Sequence, residues 1–278
     1  STDDVSCFSG NDGSVTVTTT GGTPEYIYSL SYNGGAVSVV EAIDNGNNTY
    51  IISSLSAGNY ELFVTDQNSC DPNQSIEFTI EQPDEITYTI DQTTLLDCFG
   101  DSDGEITITV NGGTPGYTVS LSGTSSSTDT ITTAGGSHTF NNLTQGTYTI
   151  TIQDANFEST PSGCDVTTGS LVIDEPDELL ISSLAAEEIL CNADETSIIT
   201  GSITGGTANY SVDLILDSQV VQSSTDNTGS IEFTGLGAGT YTVQVSDANI
   251  ATQGAGCYVE QNITISEPDQ LVLSGSTS

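Results

Sequence analysis

The chain has 278 residues, 38 Asp and Glu, one His and neither Lys nor Arg, for a formal charge of −38, where an ordinary chain of this length carries roughly 30 basic residues. Such an excess repels nucleic-acid phosphate, anionic lipid and heparin-like polymers, and it removes ordinary salt bridges, Schiff-base or phosphate-binding lysines and every trypsin-type cleavage site. Val, Ile, Leu and Phe nevertheless stay above the ~20% level below which a core fails, no apolar run approaches the ~18 residues of a membrane span, and nothing at Ser1 to Gly10 reads as a signal peptide.

Three copies of one unit follow each other at a period of about 92 residues. The first copy opens at Cys7, continues with alternating Val15, Val17 and Thr19, and turns at Gly21 and Gly22. It resumes alternation at Tyr26, Tyr28 and Leu30, then reaches Leu55-x-x-Gly58-x-Tyr60, the pair Leu62 and Val64, Cys70, and a closing Pro83-Asp84. The second copy repeats these marks as Cys98, Ile106, Ile108 and Val110, Gly112-Gly113, Tyr117, Val119 and Leu121, Leu143-x-x-Gly146-x-Tyr148, Ile150 and Ile152, Cys164 and Pro176-Asp177. The third gives Cys191, Gly205-Gly206, Tyr210, Leu236-x-x-Gly239-x-Tyr241, Val243 and Val245, Cys257 and Pro268-Asp269.

Period-two alternation with one apolar face is the signature of half-buried strands, and turn residues cluster between the runs. Seven or so short strands per unit predict an all-β chain of tandem immunoglobulin-like sandwiches. The prolines, which stiffen an extended link and cannot donate to a sheet ladder, are taken as joints. The expected domains are 1–83 (repeat 1, lacking its first strand), 84–176, 177–268, and 269–278 as the first strand of a following repeat. Tyr60, Tyr148 and Tyr241 match the tyrosine corner that opens strand F of such sandwiches.

The stretches Cys98-Phe-Gly-Asp-Ser-Asp-Gly-Glu, Gly112-Gly-Thr-Pro-Gly-Tyr117, Gly146-Thr-Tyr148 running to Asp154-Ala-Asn, and Asp174-Glu-Pro-Asp177 resemble the repeats of the SprB-type gliding adhesins of Bacteroidota. The resemblance implies a very long extracellular filament on a bacterial cell surface, exported by the type IX route and, in gliding cells, carried by the motility machinery. The third copy departs most, since Cys191-Asn-Ala-Asp194 lacks the Asp-Gly step and Gly206-Thr-Ala-Asn-Tyr210 lacks the proline. Asp129-Thr130-Ile131 resembles the short O-glycosylation motif of Bacteroidota surface proteins.

Six matched cysteines without a Cys-x-x-Cys spacing read as disulfides rather than zinc ligands. Two pairings are open. Within repeats they are Cys7 with Cys70, Cys98 with Cys164 and Cys191 with Cys257. If the segments Glu85 to Ile90 and Leu179 to Ser182 are first strands, the two cysteines of a repeat lie at opposite poles, too far apart for the ~7 Å limit of a disulfide. Cys7 with Cys164 and Cys98 with Cys257 then staple successive repeats. Internal bridges would instead start each repeat at its first cysteine.

The stapled geometry is also expected to gather acids at each joint: Asp101, Asp103, Glu175, Asp177 and Asp247 at one, and Asp12, Glu81, Asp84 and Asp154 at the other. Converging carboxylates suit Ca²⁺, which takes six to eight oxygen ligands; solvated loop acids that keep a surface soluble are the alternative. No catalytic constellation can be assembled around His138, the single imidazole, so neither catalytic nor cofactor-binding residues are assigned. Tyr32, Tyr50, Tyr88 and Tyr258 leave some room for surface polysaccharide as a partner. The sequence thus predicts a rod of repeats, each ~40 Å from strands at ~3.3 Å rise, whose partners are first of all neighbouring repeats of the same chain. It reads as a window from a longer array, either a structural and adhesive filament or a stalk presenting a carbohydrate-binding or hydrolytic domain elsewhere in the protein.

Overall fold

The structure is a computed structural model that describes residues 1–70, 74–157, 164–250 and 257–275. Its strands form six sheets in three successive pairs. The first pair uses β1 (Thr2–Asp3), β2 (Gly13–Thr18), β3 (Ile27–Tyr32), β4 (Ser38–Val40), β5 (Ile43–Gly46), β6 (Thr49–Leu55), β7 (Gly58–Thr65) and β8 (Ile76–Ile80), in the orders β1-β2-β6-β5 and β4-β3-β7-β8. The second uses β9 (Thr87–Gln92), β10 (Gly104–Asn111), β11 (Tyr117–Gly123), β12 (Ser127–Ile131), β13 (Gly136–Leu143), β14 (Gly146–Gln153), β15 (Asp165–Thr167) and β16 (Leu171–Ile173), in the orders β13-β10-β9 and β12-β11-β14-β15, with β16 also on β14. The third uses β17 (Leu180–Ala186), β18 (Ser197–Thr204), β19 (Tyr210–Leu216), β20 (Gln219–Asp226), β21 (Ser230–Leu236), β22 (Gly239–Ser246) and β23 (Tyr258–Ile265), in the orders β17-β18-β21 and β20-β19-β22-β23.

This is the immunoglobulin-like arrangement three times over, and the alternation dictates it. Register is the same in each copy: Tyr28 faces Val64 and Leu30 faces Leu62, Val119 faces Ile152 and Leu121 faces Ile150, Val212 faces Val245 and Leu214 faces Val243. A one-residue slip would turn all these side chains to solvent, at about 1.5–3 kcal/mol for each large aliphatic side chain exposed. Val15, Tyr28, Leu30, Ile52, Leu62 and Ile80 belong to the core of the first sandwich, and Ile199, Val212, Leu214, Phe233, Val243 and Val245 to that of the third.

The Tyr60 and Tyr241 hydroxyls donate to the carbonyls of Ser56 and Gly237 at 2.8 and 3.1 Å, four residues upstream; Tyr148 is fully buried. A second tyrosine series is equally regular. Tyr26 and Tyr210 donate to the carbonyls of Gly21 and Gly205 at 2.6 and 2.8 Å, and Tyr117 does so to Gly112. The edge position that β9 and β17 hold is held in the first sandwich by the two residues of β1, paired with Ser14 and Val15.

Two compact units divide the described chain: Ser1–Asp91, Thr107–Phe140 and Tyr148–Leu171 in one, and Gln92–Ile106, Asn141–Thr147 and Val172–Ser278 in the other. Among the described residues no helix is long and apolar enough to cross a membrane.

Candidate functional site

The candidate site is a joint, found once in each compact unit. It starts from an apolar anchor ahead of the first cysteine. Val5, Leu96 and Ile189 are buried, and their amides donate to the carbonyls of Glu81, Asp174 and Ser266 at 3.1, 2.9 and 3.4 Å. The chain then turns back on itself, with the amides of Gly10, Asp101 and Asp194 donating to the carbonyls of Cys7, Cys98 and Cys191. Ser9, Gly100 and Ala193 at the bend have φ of 59°, 75° and 64°, a conformation that costs a non-glycine residue. Their amides are held by the residue before each joint proline: Gln82 Oε1 at 3.0 Å, Glu175 Oε2 at 2.8 Å and Glu267 Oε2 at 2.6 Å.

The opposite half of the joint comes from the end of β7, β14 or β22. Asp66, Asp154 and Asp247 are buried there and turn their carboxylates onto backbone amides. Asp66 accepts from Thr23, Asn68 and Cys70, Asp154 from Thr114 and Asn156, and Asp247 from Thr207 and Asn249, all at 2.8–3.0 Å. These bonds hold the Asp66 carboxyl below its ordinary range, the Thr23 amide contributing most.

The halves meet covalently. Cys7 is bonded to Cys164 and Cys98 to Cys257, with Cα atoms 5.1 and 5.2 Å apart. The pairings within repeats, Cys7 with Cys70, Cys98 with Cys164 and Cys191 with Cys257, are therefore not formed. The reason is the pole geometry: each first cysteine follows the edge strand at one end of its sandwich, and each second cysteine follows β7, β14 or β22 at the other. Cys191 and Cys70 are exposed.

A second latch accompanies each staple. Asn156 Nδ2 donates to the Ser6 carbonyl at 2.9 Å, and Asn249 Nδ2 to the Asp97 carbonyl at 2.8 Å, in each case the peptide just before the stapled cysteine. The same amides also reach Thr114 and Thr207 Oγ1, at 3.0 and 3.2 Å, and Asn68 reaches Thr23 Oγ1 at 2.9 Å. The sequence carries the signal, an Asp-x-Asn six residues after the corner tyrosine in every copy, of which Asp154 and Asp247 were also candidates for a cation.

The acids expected to converge have partners of their own. Asp154 and Asp247 serve backbone amides, and Glu175 serves the Gly100 amide. Asp84 and Asp177 offer their main-chain carbonyls to the amides of Gly113 and Gly206, both at 2.8 Å, and Glu81 offers its carbonyl to Val5. Burial pushes the Asp12 carboxyl upward, but hydrogen bonds from the Ser6 hydroxyl and amide outweigh it and leave it below the usual range. Asp101 is pushed up, first by burial and then by the charges of Asp103 and Asp97. Among the described residues no three of His, Cys, Asp and Glu form a group able to hold a metal ion.

His138 Nδ1 lies 3.4 Å from Asp129 Oδ2, with its ring edge-on to Phe140 at 4.6 Å. Thr130 of the Asp129-Thr130-Ile131 stretch is exposed. Tyr32 stands over Tyr60 at 5.1 Å and donates to the Ala57 carbonyl, so it belongs to the side-chain row of its own sheet.

Residues 1–35 and 90–126 match the SprB repeat family. These are the first-cysteine, Gly-Gly and tyrosine stretches of copies one and two; the corresponding stretch of copy three, with its altered loop, lies outside the match. No curated protein matches the chain. Among solved structures it is similar to the three-domain I67–I69 fragment of titin (14% identity, 94% of each chain, TM-score 0.40). It is also similar to a tetra-tandem repeat from the extending region of a large adhesion protein (15% identity, 95% of this chain and 73% of that one, TM-score 0.31), and to the mouse nectin-like molecule 4 ectodomain (12% identity, 95% and 97%, TM-score 0.32).

Proposed function

We propose that these SprB-type repeats form a load-bearing, adhesive segment of a large cell-surface protein outside the bacterial cell, in the setting of gliding motility and type IX export that the family resemblance implies. The observation that carries the reading is the overlap of the two staples. Because Cys98 lies inside the loop closed by Cys7 and Cys164, a pull between Cys7 and Cys257 crosses both disulfides and strains only the backbone from Cys98 to Cys164. That stretch is about 66 residues, or ~230 Å fully extended, against about 250 residues and ~880 Å without the bonds. An array built this way resists lengthening even when its sandwiches unfold. Disulfides persist in oxidising surroundings outside the cell, and the absence of Lys and Arg denies trypsin-like proteases a site.

Single-molecule stretching of the whole chain by its ends tests the mechanical part. The oxidised chain is expected to stop near a third of the length reached after reduction, because the tails outside Cys7 and Cys257 lengthen both by about 27 residues. Equal lengths before and after would remove the load-bearing reading. Labelling of intact source cells by an antibody to the chain tests the location.

A further inference from the structure

We propose that the outer face of the β4-β3-β7-β8 sheet in the first sandwich docks a cationic, amphipathic segment of another protein. The inference concerns the flank of a sandwich and is independent of the load-bearing reading.

In the other two copies this face is polar and satisfies itself. In the second sandwich the Ser120 and Thr128 hydroxyls lie 3.2 Å apart, and those of Thr151 and Thr167 3.0 Å apart. In the third, Ser223 donates to Asp213 at 2.5 Å, and Thr242 to Asn262 and Gln244 to Glu260 at 2.8 Å. Each of these bonds joins neighbouring strands. The face also lies clear of the tandem contacts: in the second sandwich, which has a copy on either side of it in the sequence, Thr128 and Thr130 are exposed.

The first sandwich breaks this pattern in one patch. Register places Val39 beside Ser29 and Ser29 beside Phe63, with Ile27 two residues along β3 on the same face. Val39, Ile27 and Phe63 thus stand where the third copy has Ser223, Ser211 and Gln244. Val39 is 72% and Ile27 50% exposed, and apolar side chains gathered on a face otherwise polar mark an interaction surface. Next to Phe63 on β7, Glu61 stands directly opposite Glu77 of β8, where the third copy pairs Thr242 with Asn262. Ser75 donates to one oxygen of Glu61 at 2.5 Å, but two carboxylates facing each other across a ladder oppose its pairing. A cavity of about 340 Å³ opens beside them, lined by Ser31, Asn59 and Thr79 among others.

The apolar and acidic halves of the patch select the occupant together. Val39, Ser29 and Phe63 span two strand spacings, about 10 Å, and the step from Phe63 to Glu61 adds about 7 Å along β7, a footprint that one extended or helical segment covers. Its apolar side chains rest on Val39, Ile27 and Phe63, and a lysine or arginine beyond them enters the cavity and bridges Glu61 and Glu77, replacing repulsion with a charge-assisted contact. A second copy cannot supply that side chain, because the chain has neither Lys nor Arg, and anionic lipid is repelled by the same acidic excess. A neutral polysaccharide leaves the two carboxylates uncompensated.

Titration of the whole chain, followed by its amide resonances, uses a peptide of about ten residues alternating Leu with Lys, one alternating Leu with Gln, and dextran as a neutral polysaccharide, in ~150 mM salt to screen the diffuse attraction of a −38 chain. The Leu-Lys peptide is expected to move the Ser29, Val39, Glu61, Phe63 and Glu77 amides in preference to the equivalent amides of the other two copies. The Leu-Gln peptide is expected to bind about tenfold more weakly. Phe63→Gln with Val39→Ser, and separately Glu61→Thr with Glu77→Asn, install residues that the third sandwich already carries at these places, and unchanged dispersion of the remaining amides checks that the fold is kept. Each pair is expected to weaken binding of the Leu-Lys peptide about tenfold. Shifts spread evenly over the three sandwiches, an affinity unchanged by Phe63→Gln with Val39→Ser, or dextran moving the same amides would overturn the proposal.

Discussion

The loops around Cys98 and Cys191 share one backbone and differ in one respect. Both are anchored by a buried aliphatic residue, both bend at a residue of positive φ, and both are clamped by the glutamate before a joint proline, Glu175 on Gly100 and Glu267 on Ala193. Cys98 is fully buried against Cys257, whereas Cys191 is exposed and the residue before it, Leu190, is 85% exposed. The loop is therefore shaped by its own sandwich, and only its burial comes from the neighbour. A preformed loop loses little conformational freedom when the bond closes, which is how preorganisation strengthens an interaction.

The sharpest way to break that comparison is to remove each sulfur in turn. Cys98→Ser together with Cys257→Ser is expected to cost about 3–5 kcal/mol, since the loop spans 159 residues and chain entropy grows with its length. Cys191→Ser is expected to change stability by less than ~0.5 kcal/mol, as at an ordinary surface position. Thermal melts without reductant, and then with it, measure both. A Cys191→Ser loss as large as that of the double variant would mean that the exposed loop has tertiary work of its own.

A smaller effect separates the staple from its latch. Asn249→Ala removes the bond to the Asp97 carbonyl and the contact with Thr207 Oγ1, an expected loss of about 0.5–1.5 kcal/mol per hydrogen bond. Asp247→Ala strips the acceptor from two amides and is expected to cost about 1.5–3 kcal/mol. Repeating Asn249→Ala in the Cys98→Ser, Cys257→Ser background tells whether latch and staple act together. If the joint opens without the disulfide, the asparagine has nothing left to lose and its effect vanishes; an unchanged loss would show that the sandwiches stay docked by packing and the amide alone.

How much of this the sequence disclosed depended on whether the information was local. Alternation at Ile106, Ile108 and Val110 and at Tyr148, Ile150 and Ile152 declares which face is buried, because a strand has period two whatever surrounds it. The Gly112-Gly113 and Gly205-Gly206 pairs announced a turn, but not that a linker backbone would lie against them, since that contact depends on how far the chain returns. The cysteine pairing stayed open for the same reason, and topology decided it. Asp154 and Asp247 accept from neighbouring amides, a use the sequence left open because an aspartate that caps amides and one that waits for a cation are the same letter. Their hydrogen-bond partners at Asn156 and Asn249 lie only two residues away, so the Asp-x-Asn spacing was the usable signal.

The smallest expected effect concerns the acids of the first two loops, where Asp12 and Asp101 shift in opposite directions. Asp101 titrates above its unfolded value, so the folded state holds that proton more tightly. Its ionised form costs stability at neutral pH, and the cost disappears as pH falls through the raised value. Asp12 titrates below 3.8; its contribution is present above that value and is lost as pH falls through the depressed one. Asp101→Asn is therefore expected to stabilise the chain at pH 7, and Asp12→Asn to destabilise it, each by no more than ~0.5 kcal/mol, with both differences gone in strong acid. Millimolar Ca²⁺ is expected to act on Asp101, Asp103 and Asp97 as any divalent cation would, so Mg²⁺ should reproduce its increment in melting temperature. A rise specific to calcium and abolished by Asp101→Asn would restore a cation to the joint, because general screening of a −38 chain has no means of distinguishing the two ions, whereas a site of defined size and ligand number does.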